Sequence, residues 1–323
     1  MACGNEAETP VADLPPTVAS AAFEEGFVPA SDGVELYYRK VGQSVRTVIV
    51  PSRLFTWDDL AWLGEHFTLI SYDMRNRGRS SEVENGSVLT LEKDVEDLES
   101  VRGHFAVESF STLGYSYLGK VVIMYARAHP ERIERIVQVG PIPPVFATEY
   151  PKELTAAALP SPFPPGEIER LNELRDAGVK ESEPRRYCET FWEIIPYQLV
   201  GDSANVNRIN ADYCEMENEW PVNIDFHMQH AFVGSAMNHV LTDEEIAEVE
   251  VPVLTIHGTH DRNAPYGAGR EWAMKLPNAR LITIEGAGHH VWADDPTIND
   301  DILIFLQGEW PEGAEVVTSL VPE

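Results

Sequence analysis

The sequence has little cysteine and no long apolar run. Its three cysteines, Cys3, Cys188 and Cys214, match no metal-ligand spacing and suggest no disulfide framework, although Cys188 and Cys214 could pair. No stretch of about 18 apolar residues is present, so the sequence predicts no membrane-spanning helix. A metal site and a membrane span are therefore not expected.

Basic residues are also scarce, because 24 lysines and arginines stand against 53 aspartates and glutamates, for a net charge of −29. Such a surface repels phosphate groups, which argues against nucleic acid or an anionic membrane as a partner.

The chain is long and has enough hydrophobic residues for a sizeable core. Its 323 residues, 43% of them hydrophobic, suffice for one large domain with an inserted lobe.

The first residues allow two interpretations. Ala2-Cys3-Gly4, followed by acidic and proline-rich sequence, resembles the mature start of a bacterial lipoprotein in which Met1 replaces the signal peptide. The alternative is an ordinary disordered tail, which we predict for residues 1–22 in either case. Localisation accordingly stays open between the cytoplasm and an exported protein anchored through Cys3.

The stretch Leu113 to Lys120 (Leu-Gly-Tyr-Ser-Tyr-Leu-Gly-Lys) is the first candidate for chemistry. A short apolar strand precedes it from Val107 to Leu113, and a buried helix follows and is closed by Pro130. Strand, glycine, serine and helix in this order predict a nucleophile elbow that presents Ser116. Small residues are wanted two places before and two places after the serine. Gly114 meets the first requirement, but Leu118 occupies the second place.

Two later segments supply partners for this serine. Val251 to Asp261 is a buried strand that runs into a loop ending in a carboxylate. Arg280 to Ile284 is the next strand, and the loop after it, Glu285-Gly286-Ala287-Gly288-His289-His290, presents a histidine. We predict a catalytic set of Ser116, Asp261 and His289, in the chain order of a hydrolase triad.

Rival residues adjoin each of these candidates. His290 and His260 adjoin the candidates His289 and Asp261 and are alternatives for their roles. Asp294 and Asp295 come after the histidine and are therefore in the wrong chain order for the aspartate.

On these motifs the chain resembles the α/β-hydrolase superfamily over nearly its whole length after the first two dozen residues. The resemblance implies an α/β fold, a doubly wound and mostly parallel sheet with an inserted helical cap. We place the core in residues 23–142 and 251–323 and the cap in residues 143–250, where prolines interrupt the strand pattern.

The loop after the strand Thr47 to Val50 departs from this family. A His-Gly loop is usual there and lends a backbone N–H to the oxyanion hole, but this chain has Pro51-Ser52-Arg53-Leu54-Phe55. A backbone donor needs no particular side chain, so Arg53 or Leu54 could supply the first N–H and Tyr117 the second. For the Arg53 side chain we favour an ion pair with a neighbouring carboxylate.

The stretch Asp73 to Ser80 (Asp-Met-Arg-Asn-Arg-Gly-Arg-Ser) is similar to the Asp-x-Arg-Gly-x-Gly-x-Ser turn of the same superfamily. Asn76 stands where glycine is usual, and asparagine tolerates positive φ better than other non-glycine residues. We expect a structural role for this turn rather than an anion site.

In the predicted cap, substrate contacts are expected from aromatic, histidine and acidic side chains. The candidates are Trp192, Glu193, Tyr197 and Trp220, with Tyr187, His227 and His230 as further members and the acids Asp212, Glu215, Glu217 and Glu219 as holders of a substrate ammonium group. For each of these aromatic and histidine side chains we favour a place in the cap core over a substrate contact.

The chemistry expected is hydrolysis of a small carboxylic ester or amide through an acyl-enzyme, with no metal or organic cofactor. The family branch that the chain most resembles is that of proline iminopeptidases and their esterase-like neighbours. A prolyl aminopeptidase is therefore the alternative enzyme, in which Glu193 or the acids from Glu215 to Glu219 bind the free amino terminus. A non-catalytic ligand-binding relative is the alternative of another class.

Overall fold

The computed structural model of the chain describes residues 22–209 and 212–322. Eight strands form one sheet in the order β1-β2-β4-β3-β5-β6-β7-β8. The pairs β1–β2 and β2–β4 are antiparallel and every other neighbouring pair is parallel, so the predicted mostly parallel sheet is confirmed. The strands are β1 Glu24–Pro29, β2 Glu35–Val41, β3 Thr47–Pro51, β4 Thr68–Tyr72, β5 Phe110–Tyr115, β6 Ile133–Val139, β7 Val253–Gly258 and β8 Ala279–Ile284.

Helices cover both faces of this sheet, which is why its central strands are apolar on both sides. In β3, Ile49 packs into one buried cluster while Val48 and Val50 pack into the other, as the two-residue period of a strand requires. The helices of this part are α1 Arg53–Leu60, α2 Leu91–His104, α3 Leu118–Ala128, α10 Tyr266–Lys275, α11 Val291–Asp294 and α12 Ile298–Gln307.

Helix α2 shows how local sequence sets an element. Its N-cap residue Thr90 accepts a hydrogen bond from the Lys93 N–H at 3.3 Å, and the acids Glu92 and Asp94 occupy its first turn. Its apolar residues Leu91, Leu98 and Val101 are buried, as the helical period predicts.

One strand lies outside the sequence prediction. The alternating residues from Gly33 to Val41 predict an edge strand, but β1 pairs with β2 through Glu24 to Pro29, so β2 has a neighbour on each side. Phe27 in β1 is half-exposed, and acids and glycine surround it. The residues of β1 therefore lack the alternation of apolar and polar side chains by which strands are predicted.

Between β6 and β7 the described chain forms helices and turns but no strand. We call residues 143–250 the inserted segment. Its helices are α4 Glu167–Asp176, α5 Val179–Ser182, α6 Pro184–Ile194, α7 Pro196–Leu199, α8 Pro221–His227 and α9 Asp243–Ala247, and a π-helical stretch, Met228–Ala236, continues α8.

A disulfide joins Cys188 on α6 to Cys214 inside the inserted segment. The sequence left this pairing open. Both cysteines are buried with Trp192 and Tyr213 in one apolar cluster, so the bond ties α6 to the chain that follows the turns after α7.

Two parts of the inserted segment, one at its start and one shortly before its end, meet at Lys120 of α3. The buried Lys120 Nζ donates to the carbonyl oxygens of Pro144, at 3.0 Å, and of His239, and the Leu241 N–H donates to Pro144 O at 3.4 Å. Burial lowers the pKa of Lys120 to about 8. One side chain thus binds the chain just after it leaves β6 and again before α9, ahead of its return at β7.

The predicted tail lies, apart from Ala22, outside the described residues, as does the Ala2-Cys3-Gly4 motif. In the described ranges no helix is long and apolar enough to cross a membrane.

Candidate functional site

Ser116 occupies the turn between β5 and α3 with φ of +58°, a backbone conformation that side chains rarely adopt. Its N–H donates to Val139 O at 2.9 Å, which fixes the turn against β6. A Cβ atom at Gly114 would lie 2.4 Å from Leu118 O, so glycine is required two places before the serine.

On the other side of the serine, the close approach falls one residue later than expected. A Cβ atom at Gly119 would lie 2.8 Å from the Pro141 Cβ, whereas Leu118 is buried in an apolar cluster with Met74, Val121 and other residues. The requirement for a small residue is therefore met at Gly119, and Leu118 contributes to packing.

Asp261 lies in the loop after β7 and is almost fully buried. Its Oδ2 accepts a hydrogen bond from His289 Nδ1 at 2.7 Å, and its Oδ1 accepts from the N–H groups of Asn263 and Ala264, both at 2.8 Å. Burial raises the pKa of a carboxyl group, but the charge of His289 and the hydrogen bonds from His257 and His289 outweigh it. They hold the pKa of Asp261 well below its ordinary value.

Ser116 and His289 line one cavity of about 540 Å³. The structure thus brings together the three residues that the sequence singled out: Asp261 contacts His289, and His289 shares the cavity with Ser116. Gly140, with φ of +53°, permits this approach, because a Cβ atom there would lie 3.1 Å from His289 Nδ1.

The rival residues have other contacts. His290 also lines the cavity, but its Nε2 lies 3.1 Å from Asp59 Oδ2. Asp294 accepts from the N–H groups of Gly201 and Gly288, at 2.7 and 2.8 Å, and so joins the inserted segment to the loop that carries His289. No local pattern in the sequence indicates this role of Asp294.

The loop between β3 and α1 lies beside Ser116. Ser52 precedes α1 with φ of +84° and makes no side-chain cap bond, and Ser52 and Phe55 line the cavity. Arg53 and Leu54 are the first two residues of α1, where backbone N–H groups have no partner within the helix. Tyr117 also lines the cavity, at the N-terminal end of α3.

The expected ion pair of Arg53 is present, since its Nη2 lies 2.7 Å from Asp73 Oδ2. Asn76 has φ of +61°, and its Oδ1 accepts from the Val83 N–H at 2.9 Å, so asparagine does hold this turn. The guanidinium of Arg75 donates to Asp97 through Nε at 2.8 Å. These contacts confirm the structural role predicted for the turn from Asp73 to Ser80.

Arg77 joins the same turn to the inserted segment. Its Nε and Nη2 donate to the two carboxylate oxygens of Glu219 at 3.0 and 2.6 Å, and Gly78 N–H donates to Glu219 Oε1 at 2.7 Å. Both side chains are buried. Glu219 is therefore committed to Arg77, whose side chain also lines the cavity.

Of the cap candidates only Trp192 lines the cavity; Glu193, Tyr197 and Trp220 do not. Glu193 is on the outer face of α6 and pairs with Arg170, and the Trp220 Nε1–H donates to Cys214 O at 2.9 Å. Tyr187, His227 and His230 lie outside the lining as well, as do Asp212, Glu215 and Glu217.

The cavity wall is mainly apolar and aromatic. Much of it comes from inserted-segment residues that sequence analysis did not select, namely Phe191, Ile195, Leu199, Ile209, Tyr213, Ile224, Met228 and Phe232. The carboxylate in the lining is that of Asp225, which pairs with Lys180. In the described part of the chain, no group of three or more His, Cys, Asp or Glu side chains is placed to hold a metal ion.

Comparison with known proteins gives consistent matches. A sequence model of the family described as alpha/beta hydrolase fold matches residues 58–296. A bifunctional esterase/perhydrolase of Acinetobacter calcoaceticus is 26% identical over 301 residues, which cover 87% of this chain and 99% of that protein. A non-heme haloperoxidase of Rhodococcus erythropolis is 26% identical over 293 residues, with the same two coverages.

Solved structures are similar over comparable lengths. A serine hydrolase of Cycloclasticus zankles superposes with a TM-score of 0.67 at 17% identity and covers 89% of this chain and 99% of its own. An esterase of Exiguobacterium antarcticum gives a TM-score of 0.65 at 16% identity, with coverages of 87% and 99%.

Proposed function

Because the chain belongs to the alpha/beta hydrolase family and is a hydrolase, we propose that it is an esterase-like serine hydrolase of small carboxylic esters, with Ser116 as nucleophile. The observation that carries the proposal is the 2.7 Å contact between His289 Nδ1 and Asp261 Oδ2, beside a cavity that Ser116 also lines. An oriented histidine next to a serine is what nucleophilic acyl transfer needs.

The reaction proceeds in two halves. The Ser116 Oγ attacks the ester carbonyl carbon while His289 Nε2 takes the hydroxyl proton, and His289 then returns that proton to the departing alcohol. A water molecule, deprotonated by His289, attacks the resulting acyl-enzyme and releases the acid and the free serine. Asp261 stabilises the imidazolium that forms in both halves, and its depressed pKa keeps it ionised throughout.

Backbone donors stabilise the oxyanion. Tyr117 N–H lies directly after the nucleophile, and the second donor is Arg53 or Leu54 N–H at the start of α1. The positive φ of Ser116 supports this assignment, because strain at a strand-to-helix turn is typical of a nucleophile elbow.

The inserted segment acts as a cap whose inner face selects the acyl group. Its contribution to the cavity is mainly apolar and aromatic, and the carboxylate that it adds, Asp225, pairs with Lys180, which favours an uncharged hydrocarbon acyl chain. The prolyl aminopeptidase alternative needs a carboxylate for a substrate ammonium group. It has weaker support, because the acids expected to bind that group are engaged elsewhere: Glu193 and Glu215 pair with arginines outside the cavity and Glu219 is bound to Arg77. The carboxylate that does line the cavity, Asp225, pairs with Lys180.

Perhydrolysis is a second candidate activity, favoured by the esterase/perhydrolase and haloperoxidase relatives. Hydrogen peroxide would replace water in the second half, attack the acyl-enzyme and leave as a peroxy acid, with the proton passing through His289. A hydrogen peroxide titration with acetate as acyl donor, assayed for peracetic acid, separates this activity from simple hydrolysis.

Enzyme and binding protein are separated by fluorophosphonate labelling of wild type and of Ser116→Ala, with Ser182→Ala on the surface of α5 as control. We expect labelling of wild type and control but not of Ser116→Ala. The same proteins are then assayed with p-nitrophenyl butyrate and prolyl p-nitroanilide. Ester preference, reduced about 10⁴-fold or more in Ser116→Ala, supports the proposal. Unlabelled wild type, or preference for the anilide, contradicts it.

A further inference from the structure

The carboxylate of Asp261 contacts a second histidine. His257, the penultimate residue of β7, places its Nε2 3.2 Å from Asp261 Oδ2, the same oxygen that accepts from His289 at 2.7 Å. With the N–H groups of Asn263 and Ala264 on Oδ1, the carboxylate has four donor groups around it. His257 has no exposed surface.

The surroundings of His257 fix its tautomer. Its Nε2 lies between two acceptors, Asp261 Oδ2 and Ala264 O, the latter at 3.1 Å, so Nε2 carries the hydrogen. Its Nδ1 is buried without a hydrogen-bond partner. A hydrogen on Nδ1 would be a buried donor with no acceptor, which is costly. The ring hydrogen of His257 is therefore on Nε2.

Packing holds this ring in place. Gly269 of α10 lies against it so closely that a Cβ atom there would be 2.4 Å from His257 Nδ1. The Tyr266 ring makes an edge contact with the imidazole, with ring centroids 6.0 Å apart. The strand end and α10 both confine the ring. Its single Nε2–H is therefore shared between Ala264 O, at 3.1 Å, and Asp261 Oδ2, at 3.2 Å.

We propose that His257 is a positioning residue for the hydrolysis described above, whose Nε2–H directs Asp261 Oδ2 toward His289 Nδ1. The inference rests on the proposed roles of Ser116, Asp261 and His289. Without the His257 donor, Oδ2 is held by His289 alone, so the carboxylate is less firmly oriented although Oδ1 keeps its two N–H donors. The negative charge of the carboxylate then acts more strongly on His289 and favours the imidazolium.

Several other ionisable groups face this cluster. The Tyr115 ring lies 4.9 Å from the His289 ring, Asp59 pairs with His290 beside it, and Tyr266 packs on His257. Burial raises the pKa of Tyr115 well above its usual value, and the negative charge of Asp261 adds to this, so Tyr115 stays neutral through the assay range. These groups are unchanged in the variants below.

The test compares His257→Met, which removes the donor, with His257→Gln, whose Nε2 can take the place of the imidazole Nε2. We measure kcat and KM for p-nitrophenyl butyrate across pH 4.5 to 9. For His257→Met we expect kcat to fall about 10- to 100-fold, the effect of losing one hydrogen bond to a charged group, with KM nearly unchanged. The acid limb of kcat/KM should move up by about half to one pH unit.

His257→Gln should restore most of kcat and return the acid limb to its wild-type position. The low-field NMR resonance of the His289 Nδ1 proton gives a second readout, which should broaden or shift in His257→Met and recover in His257→Gln. If His257→Met does not fold, His257→Asn replaces it, because the shorter amide cannot reach Oδ2.

His227→Met is the control for disturbing a buried histidine. His227 is also buried with no partner for either ring nitrogen, but it neither contacts Asp261 nor lines the cavity. It should leave the acid limb in place. A wild-type acid limb and kcat in His257→Met, or equal losses in the Met and Gln variants, overturns the inference. Activity retained in Ser116→Ala would instead overturn the proposed function, so the two failures are distinguishable.

Discussion

The sheet and the inserted segment place their charges differently. The ion pairs Arg53–Asp73 and Arg75–Asp97 beside the sheet are buried, whereas Arg170–Glu193 and Arg185–Glu215 of the inserted segment are largely exposed. Buried pairs are strongly destabilising to break, and exposed pairs contribute about 0–1 kcal/mol. The region that carries the proposed chemistry is thus fixed electrostatically, while the region that shapes the cavity depends on apolar packing and one disulfide.

This difference indicates where substrate specificity can change with little loss of stability. Ser116, Asp261 and His289 all follow strands of the sheet, and their positions depend on close backbone contacts at Gly114 and Gly140. The cavity wall comes largely from short helices whose outer faces are solvated. Substitutions on the inner face of the inserted segment should change substrate preference without disturbing the reacting groups.

The largest expected effect comes from breaking the buried link between the two regions. Glu219→Gln leaves Arg77 as a buried cation without its charge partner, so the free energy of unfolding should fall by about 3–5 kcal/mol. Glu217→Gln, two residues earlier and exposed, should change it by less than about 0.5 kcal/mol. Urea denaturation of both variants checks this. Equal stability of the two would mean that the sheet and the inserted segment are not coupled through this pair.

A smaller effect should follow when only the inserted segment is loosened. Cys188→Ser with Cys214→Ser removes a cross-link between residues 26 positions apart, which should cost about 2–4 kcal/mol of unfolding free energy. Because Trp192 and Tyr213 flank the bond and line the cavity, KM should rise more than kcat falls. Calorimetry and ester kinetics measure the two effects. Reductant should destabilise wild type and have no effect on the double variant; a fall in kcat alone would contradict this view.

The smallest effect concerns the pH response of the region beside the sheet. Burial, with a further contribution from Asp97, raises the pKa of Asp94 to about 8, whereas the unfolded chain has the ordinary value near 3.8. The folded protein holds this proton more tightly, so the stabilisation is complete below pH 4 and is lost as pH rises toward 8. Asp94→Asn mimics the protonated form.

The free energy of unfolding of Asp94→Asn minus that of wild type should therefore increase by about 1.3 kcal/mol between pH 5 and 6, because one pH unit between the unfolded and folded pKa values contributes about that much. Lys120, whose pKa is also about 8, contributes mainly above this window. Urea denaturation at the two pH values is the measurement. A difference that stays constant or decreases with pH would show that Asp94 is ionised in the folded protein.

How far the sequence predicted this structure depends on how local the signal is. The strand β6 (Ile133–Val139) and the helix α2 (Leu91–His104) are indicated by the apolar periodicity of their own residues, which is a local signal. Ser116, Asp261 and His289 could be selected because chain order and glycine spacing mark the ends of strands. The shift from Leu118 to Gly119 could not be predicted, since it depends on where Pro141 of another strand end comes near.

The inserted segment was harder to predict for a physical reason. In short helices such as α6, the helical period alone does not tell which face meets the sheet, so Trp192 and Glu193 were equal candidates although one lines the cavity and the other pairs with Arg170. The long-range bond from Arg77 to Glu219 spans 142 residues and leaves no local pattern. His257 was missed because its contact depends on how the loop from Asp261 to Ala264 folds back.

The contacts of Lys120 suggest where the inserted segment could be replaced by the corresponding segment of a related protein. The Lys120 ammonium group binds the carbonyl oxygens of Pro144 and His239. Because both acceptors are backbone atoms, these two positions do not require particular side chains. A segment taken from a relative and joined at these two positions could accept the same hydrogen bonds from Lys120. Helix α3, which follows Ser116, is therefore a common anchor for both parts of the segment, and chimeric proteins joined at residues 144 and 239 are expected to keep this anchor.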